Sequence, residues 1–285
     1  MRVVQFCRSF SASSETFIYD TVTEMERQGI DCHVLTRSRV NEEERPYDKV
    51  HLATMPERWN LPRLGYRVLA TLGLWGDVET HKWPVFRSRL RRHLERIAPD
   101  VVHAQFGPNG VMIAPVAEAL GIPLVVTFHG YDISILPRKE KVRRRYRELF
   151  DRADALIGVS EHNSSRLREL GAPDDKVYTV HNGSRLDQFT YSNPTDHFDG
   201  GTVRLLYVGR LVENKAPVEL VNSFYRAREK VNGQVDLHLT IAGDGPLREP
   251  LLRRVEELDL EKEVDYVGSV PHEEVRCLMQ RSHLY

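Results

Sequence analysis

The sequence predicts an α/β protein made of two open, doubly wound parallel sheets that follow one another along the chain. Three observations carry that expectation. Short apolar runs bounded by turn residues alternate with longer segments of helical period, the pattern of βα units. Runs such as "PLVVTFHG" and "VRLLYVGR" are Val- and Leu-rich throughout, which suits strands covered on both faces. One polar stretch, "TYSNPTDHFDGG" at residues 190–201, has no apolar period and carries Pro and a Gly pair, so it reads as a linker. The expected domains are therefore residues 1–195 and 196–285.

Taken in order, the strand candidates of the first domain are "RVVQFC", "DCHVLT", "DVVHAQF", "PLVVTFHG", "ADALIGVS" and "KVYTVHNG". Helical period falls between them on Glu15–Gly29, Asn109–Leu120, Arg138–Asp151 and His162–Gly171. Gly29 and Gly171 close two of these helices, at the position where glycine turns left-handed without a steric penalty. The second domain supplies the strands "VRLLYVGR", "LHLTIAGDG" and "EVDYVGSV", with helices over Ala216–Lys230 and Pro246–Leu258. It reaches "RSHLY" just as a further strand begins. A half-domain of this kind needs more strands to cover its edge and fill its core, so the sequence reads as cut short. Open α/β sheets bind ligands outside the carboxyl ends of their strands, and two facing sheets would form a cleft there.

Composition narrows the class. A chain of 285 residues holds one large domain or two ordinary ones of roughly 150 residues. Hydrophobic and charged fractions of 41% and 28% are those of a globular protein and exclude disordered or fibrous classes. The net charge of −1 gives no reason to expect nucleic-acid binding. Residues 1–195 carry 28 Lys+Arg against 25 Asp+Glu, while 196–285 carry 12 against 16. Cys7, Cys32 and Cys277 are odd in number and not at ligand spacing, which argues against a disulfide framework or zinc site and suits a reducing cytoplasm. The opening "RVVQFC" reads as a strand, so no leader is expected, and no run approaches the ~20 apolar residues of a membrane span. Membrane contact, if made, is peripheral.

The candidate chemistry lies at strand ends. In "VGRLVENKAP" a strand ends at Gly209, Arg210 follows, and Lys215 stands at the start of the next helix. Helix starts favour anions because their N–H groups lack partners and the dipole is positive there. Arg grips phosphate oxygens bidentately and Lys adds a point charge, so the pair suits a diphosphate. The competing reading is a solvated Arg and Lys with a salt bridge to Glu213. "IAGDGP" repeats the strand-then-glycine design with Gly243 and Gly245, leaving room for a ligand or for another backbone, with Pro246 suited to a first helical turn. "YVGSVP" repeats it again over Val267, Gly268, Ser269 and Val270.

In the first domain, "VTFHGYD" puts His129 just past a strand with Asp132 close behind. Such a histidine serves catalysis or, as a lone residue at a strand end, structure. "SASSETF" offers Ser14 and Glu15 in a turn that either caps the first helix or faces a phosphate. Two basic segments, "RSRLRRHLER" at 87–96 and the helix over 138–147, read as solvated faces or as contacts to an anionic membrane surface.

The ordered set "SETFI", "DVVHAQFG", "TFHGYD", "VSE", "HNG", "YVGRLVENKAP", "IAGDGP" and "DYVGSVPHEEV" resembles the retaining glycosyltransferases of sequence family 4. That family has the GT-B fold of two facing Rossmann-like domains, and the resemblance covers nearly the whole chain. "SETFI" and the "HAQF" strand look most like its bacterial exopolysaccharide and colanic acid branch. The resemblance implies that Arg210 and Lys215 hold the diphosphate of a nucleotide sugar and that His129 stands beside the donor sugar and the reacting centre. It places Gly209, Gly243, Gly245 and Val267–Val270 near the nucleotide, and Ser14, Glu15 and Asp132 in loops on the phosphate and acceptor side. It implies a saccharide or lipid-linked acceptor, no metal or other cofactor, retained anomeric configuration by same-face attack, and a cytoplasmic or membrane-peripheral location.

Two departures stand out. The family's Glu-x7-Glu motif and its final crossing helix lie beyond "HLY", so the resemblance implies a weakened donor pocket in these 285 residues. Gln105 stands where the family often has a second histidine. A non-catalytic nucleotide-sugar-binding remnant and a nucleotide-sugar epimerase are the alternatives that share the architecture.

Overall fold

Strand β1 (Arg2–Phe10) is buried without a break from Val3 to Cys7 because it runs in the middle of a parallel sheet covered on both sides. The computed structural model describes residues 1–12, 15–55, 64–65, 67–68, 71, 83–183, 190–191, 193–198 and 200–285. It falls into two compact units, Met1–Ser184 and Arg185–Tyr285, against an expected boundary after residue 195.

In the first unit β1 is joined by β2 (Asp31–Arg39), β3 (Val50–Leu52), β4 (Val101–Gln105), β5 (Leu124–Phe128), β6 (Ala155–Gly158) and β7 (Val177–Thr179). All pairings are parallel, in the order β3-β2-β1-β4-β5-β6-β7. The direction of winding reverses between β1 and β4, the place where such sheets open a crevice at their carboxyl ends. Edge strand β3 has no counterpart among the sequence candidates, because three residues carry too little pattern to be read as a strand.

The helices bury stripes at the expected spacing. α1 (Thr16–Arg27) buries Ile18 and Val22, and α2 (Trp83–Ile97) buries Phe86, Leu90, Leu94 and Ile97. α3 (Gly107–Leu120) is apolar nearly all round and lies over the sheet centre. It starts two residues before the sequence expectation of Asn109. Phe106 takes a left-handed φ of 72° there, and a Cβ on Gly107 would lie 2.5 Å from the Phe128 ring and the Tyr146 hydroxyl. Glycine is required at that close approach. The expected helix Arg138–Asp151 is two pieces, a 3₁₀ turn Leu136–Arg138 and α4 (Glu140–Arg152), parted at extended Lys139. α5 (Glu161–Glu169) is capped by the Ser160 hydroxyl, which accepts from the Asn163 backbone N–H at 3.2 Å.

The second unit is a parallel sheet ordered β10-β9-β8, with β8 (Thr202–Val208), β9 (Asp236–Ala242) and β10 (Val264–Gly268). α6 (Pro217–Val231) and α7 (Arg248–Glu257) cover it through Val221, Phe224, Leu251 and Val255. α7 begins at Arg248 and not at Pro246, which lies in the preceding turn. α8 (His272–Arg281) was not among the helical candidates. Beyond it the strand expected at "RSHLY" is one parallel bridge, Leu205 to Leu284, with Leu206 N–H donating to the Leu284 carbonyl at 2.9 Å. The segment read as a linker contains a 3₁₀ turn, Pro194–His197, and Phe198 packs edge-on against His283 with ring centroids 5.7 Å apart. That apolar contact ties the segment to the second unit.

Candidate active site

The reversal between β1 and β4 gathers polar side chains in an otherwise apolar sheet. The period of two along a strand puts His103 and Gln105 on one face of β4, and Thr127 and His129 on one face of β5 and its extension. Register then sets Gln5 of β1 opposite His103, and Gln105 opposite Thr127. The result is a continuous hydrogen-bonded row. His129 Nε2 lies 2.8 Å from Gln105 Oε1, Gln105 Nε2 lies 2.9 Å from Gln5 Oε1, and Gln5 Nε2 lies 3.0 Å from His103 Nδ1. His103 Nε2 ends the row 2.7 Å from Thr127 Oγ1.

Burial pushes the pKa of His129, and of His103, down to about 4, so both imidazoles are neutral at pH 7. The His129 ring is flanked by Phe17 and Phe106, with centroids 4.4 and 4.5 Å away, and its Nδ1 is buried with no hydrogen-bond partner among the described residues.

Asp132 turns inward. One carboxylate oxygen accepts from the His129 and Gly130 backbone N–H groups at 2.9 and 3.1 Å, and the other from Gly107 N–H at 2.9 Å. Burial raises its pKa, and these N–H contacts oppose the rise. The carboxylate thus fixes the loop that carries His129 to the start of α3. Ser14 lies outside the described residues. Glu15 is the N-cap position of α1, and its side chain makes no capping hydrogen bond to the helix.

At the carboxyl edge of the second sheet three loops interlock through their backbones. Gly209 N–H donates to the Ala242 carbonyl at 3.0 Å, Gly243 N–H to Gly268 at 2.7 Å, and Leu211 N–H to Asp244 at 3.0 Å. A Cβ on Gly243 would lie 1.9 Å from the Gly209 carbonyl oxygen, and one on Gly245 would lie 2.4 Å from that of Leu211. Of the two uses the sequence left open for these glycines, the structure shows the approach of another backbone. Of the turn expected over Val267–Val270, exposed Val267 and Gly268, at a φ of 71°, still belong to the end of β10, and only Ser269 and Val270 follow it.

Arg210 and Lys215 bracket this edge. Lys215 closes a 3₁₀ turn, Glu213–Lys215, and left-handed Ala216 then leads into α6. The Tyr207 hydroxyl lies 3.3 Å from the Arg210 carbonyl and 3.4 Å from that of Lys215, so one side chain braces both ends of the loop. Both cations and Glu213 are exposed, and among the described residues no salt bridge forms between them. Tyr207 and Arg248 were not singled out in the sequence. The Arg248 guanidinium lies over the Tyr266 ring at 5.5 Å, and the Tyr266 hydroxyl donates to the Gly243 carbonyl at 3.1 Å.

The basic helices carry both partly buried and exposed cations. Arg87 donates to the carbonyls of Met112 and Val111 at 3.0 and 3.1 Å, and burial lowers its pKa to about 10. Arg143 pairs with Glu140 and donates to the Pro137 carbonyl at 2.9 Å. Arg91, Arg92, Arg96, Arg138, Lys139, Arg144 and Arg147 are exposed. Among the described residues no helix is long and apolar enough to cross a membrane, and no group of His, Cys, Asp or Glu is arranged to hold a metal ion.

Residues 14–188 match the family Glycosyltransferase Family 4, and residues 193–285 match Glycosyl transferases group 1. The chain is 26% identical to a colanic acid biosynthesis glycosyltransferase of Salmonella typhimurium, WcaL, over 100% of this chain and 74% of that protein. It is 24% identical to the amylovoran biosynthesis glycosyltransferase AmsK of Erwinia amylovora, over the same shares of each. Among solved structures it is similar to HepE of Anabaena, crystallised with UDP and glucose. The TM-score is 0.74 at 15% identity, over 99% of this chain and 72% of that one. It is also similar to the sucrose-phosphate synthase of Thermosynechococcus elongatus, with a TM-score of 0.68 at 16% identity over 99% and 74%.

Proposed function

Because the chain belongs to glycosyltransferase family 4 and has the GT-B fold, we propose that it moves a sugar from a nucleotide-sugar donor to a growing polysaccharide or lipid-linked saccharide, with retention of configuration. The observation that carries this reading is the Tyr207-braced loop that presents Arg210 and Lys215 to solvent at a strand end and a helix start. Exposed cations with no salt bridge among the described residues suit a diphosphate. When the glycosidic bond breaks, negative charge grows on the leaving diphosphate, and fixed positive charge there lowers the barrier.

His129 has the place beside the donor sugar in this reading. Neutral at pH 7, it hydrogen-bonds and does not act as a proton-donating imidazolium. The Asp132 carboxylate is enclosed by backbone N–H groups and is not placed as a nucleophile, which favours same-face attack. No metal takes part. The names of WcaL and AmsK, each a polysaccharide biosynthesis glycosyltransferase, support a growing polysaccharide as the acceptor class, and the proposed place of action is the cytoplasmic face of the membrane. The exposed cations of α2 and α4 are the surface that would meet anionic lipid there.

UDP and UDP-glucose are the first ligands to test, because HepE was solved with them. Calorimetry should show binding to the unaltered chain and at least a ten-fold loss in R210A and in K215A, taking roughly 1.5–3 kcal/mol per charged hydrogen bond. Failure of UDP, GDP and their sugars to bind the unaltered chain would sink the reading. Nucleoside diphosphate release that depends on an acceptor separates a transferase from a non-catalytic binder. Conversion of the free nucleotide sugar to its epimer would favour an epimerase instead. Co-sedimentation with phosphatidylglycerol vesicles, unchanged in R144Q/R147Q, would remove the lipid surface.

A further inference from the structure

We propose that Gln105 is a positioning residue. Through the row it shares with Gln5, it holds the proton of His129 on Nε2 and leaves Nδ1 as a bare hydrogen-bond acceptor.

The polarity of the row follows from its one member that can only accept. The Met25 sulfur lies 3.4 Å from the Gln5 side-chain nitrogen, and a thioether has no hydrogen to give. That end of Gln5 is therefore its NH₂ group, which also donates to His103 Nδ1 at 3.0 Å. The Gln5 oxygen then faces Gln105 and accepts from its NH₂ at 2.9 Å. Gln105 is left with only its oxygen for His129, at 2.8 Å, and an oxygen requires a donor opposite. So Nε2 of His129 carries the hydrogen. On the other arm His103 accepts at Nδ1, carries its own hydrogen on Nε2, and donates to Thr127 Oγ1 at 2.7 Å.

The unpartnered atom agrees with this assignment. Nδ1 of His129 is buried with no partner among the described residues, and an orphaned buried acceptor is tolerated better than an orphaned N–H. The flanking rings of Phe17 and Phe106 leave the imidazole little freedom to turn over. A bare Nδ1 selects the chemistry of its partner. It can take a hydroxyl hydrogen, and it repels a phosphate or carboxylate oxygen. On the proposed transferase reading that hydroxyl belongs to a saccharide; the tautomer itself does not depend on that reading.

The test is long-range proton–nitrogen NMR of the ¹⁵N-histidine-labelled chain at pH 7 without ligand. The His129 signals are identified by their absence from H129Q. One nitrogen of His129 should resonate as a protonated pyrrole-type Nε2 and the other, far downfield, as an unprotonated Nδ1. In Q105M, of similar length but without the amide, the two signals should move toward the averaged positions of exchanging tautomers. A protonated Nδ1 in the unaltered chain would overturn the assignment, whatever any variant does. An unmoved spectrum in a cooperatively folded Q105M would overturn the role of Gln105. Should Q105M not fold, the conservative Q105N decides in its place, since its shorter amide cannot reach both partners and should give the same averaging. Nucleotide-sugar binding is measured separately, so failure of the transferase reading leaves this result standing and distinguishable.

Discussion

The carboxylate of Asp132 lies 2.9 Å from the backbone nitrogen of Gly107, so a side chain from the loop after β5 caps the helix that follows β4. With its contacts to His129 and Gly130 it serves three buried N–H groups. D132A leaves those donors without partners and should lower stability by about 3 kcal/mol. Urea unfolding followed by circular dichroism reads this as a lower midpoint at unchanged slope. A midpoint within error of the parent would show that water replaces the carboxylate.

Acid should weaken the first unit as pH falls below the ordinary histidine pKa. His129 and His103 have folded pKa values near 4 against the ordinary 6.5, so between those values the unfolded chain binds more protons. Their stabilisation is complete above pH 6.5, falls through the window and is gone below about pH 4. The size is on the order of 3 kcal/mol per histidine. The raised pKa of Asp132 acts in the opposite sense, adding stability as pH falls through its titration. Unfolding midpoints at pH 7 and pH 5 should differ, and the difference should shrink in H129Q. Equal slopes in both proteins would contradict the assignment.

Backbone contact explains Gly243. G243A must push a methyl group into the Gly209 carbonyl, 1.9 Å away, from a φ of 144°. A loss of about 3 kcal/mol or more is expected for the second unit. At Gly183 a Cβ meets nothing within 4 Å, so G183A should stay within about 0.5 kcal/mol of the parent. Protease protection of the second unit separates the two, and similar behaviour would refute the packing argument.

The brace on the cationic loop can be tested apart from the cations. Y207F removes the hydroxyl that contacts the Arg210 and Lys215 carbonyls. Diphosphate affinity should fall a few-fold, in line with about 0.5–1.5 kcal/mol for a neutral hydrogen bond, while the thermal midpoint barely moves. Unchanged affinity would mean that the loop holds its shape without Tyr207.

Arginines on one helix should differ in what they support. R87A leaves the carbonyls of Met112 and Val111 without their donor and removes packing on Trp83, for a loss of about 2 kcal/mol. R91A removes an exposed i,i+4 pair with Glu95 and should cost less than about 0.5 kcal/mol. Equal unfolding midpoints would make Arg87 a surface residue after all.

Much of this was legible in the chain itself. Strands such as Leu124–Phe128 announce burial on both faces by their unbroken apolar run, and helices such as α1 announce one buried face by their spacing. Those are local signals, repeated every two or every 3.6 residues, and they survive without any knowledge of neighbours. The same signals located the strand ends at His129, Gly209, Gly243 and Gly268, because turn residues follow apolar runs there. Edge strand β3 and helix α8 were missed, the first for its brevity and the second because its apolar residues sit among charges at the end of the chain.

Sequence by itself therefore determined the α/β class, the places where chemistry could stand and the kinds of charge available. Only the tertiary structure decided what each group faces. Parallel register brought Gln5 to His103 and to Gln105 across about a hundred residues of chain, and Gln105 to Thr127 on the next strand, pairings that no local period encodes. It also turned Asp132 toward backbone N–H groups and set Gly243 against another backbone. Hydrogen bonds and close contacts act over a few ångströms of space, and distance in space is set by the fold and not by position along the chain.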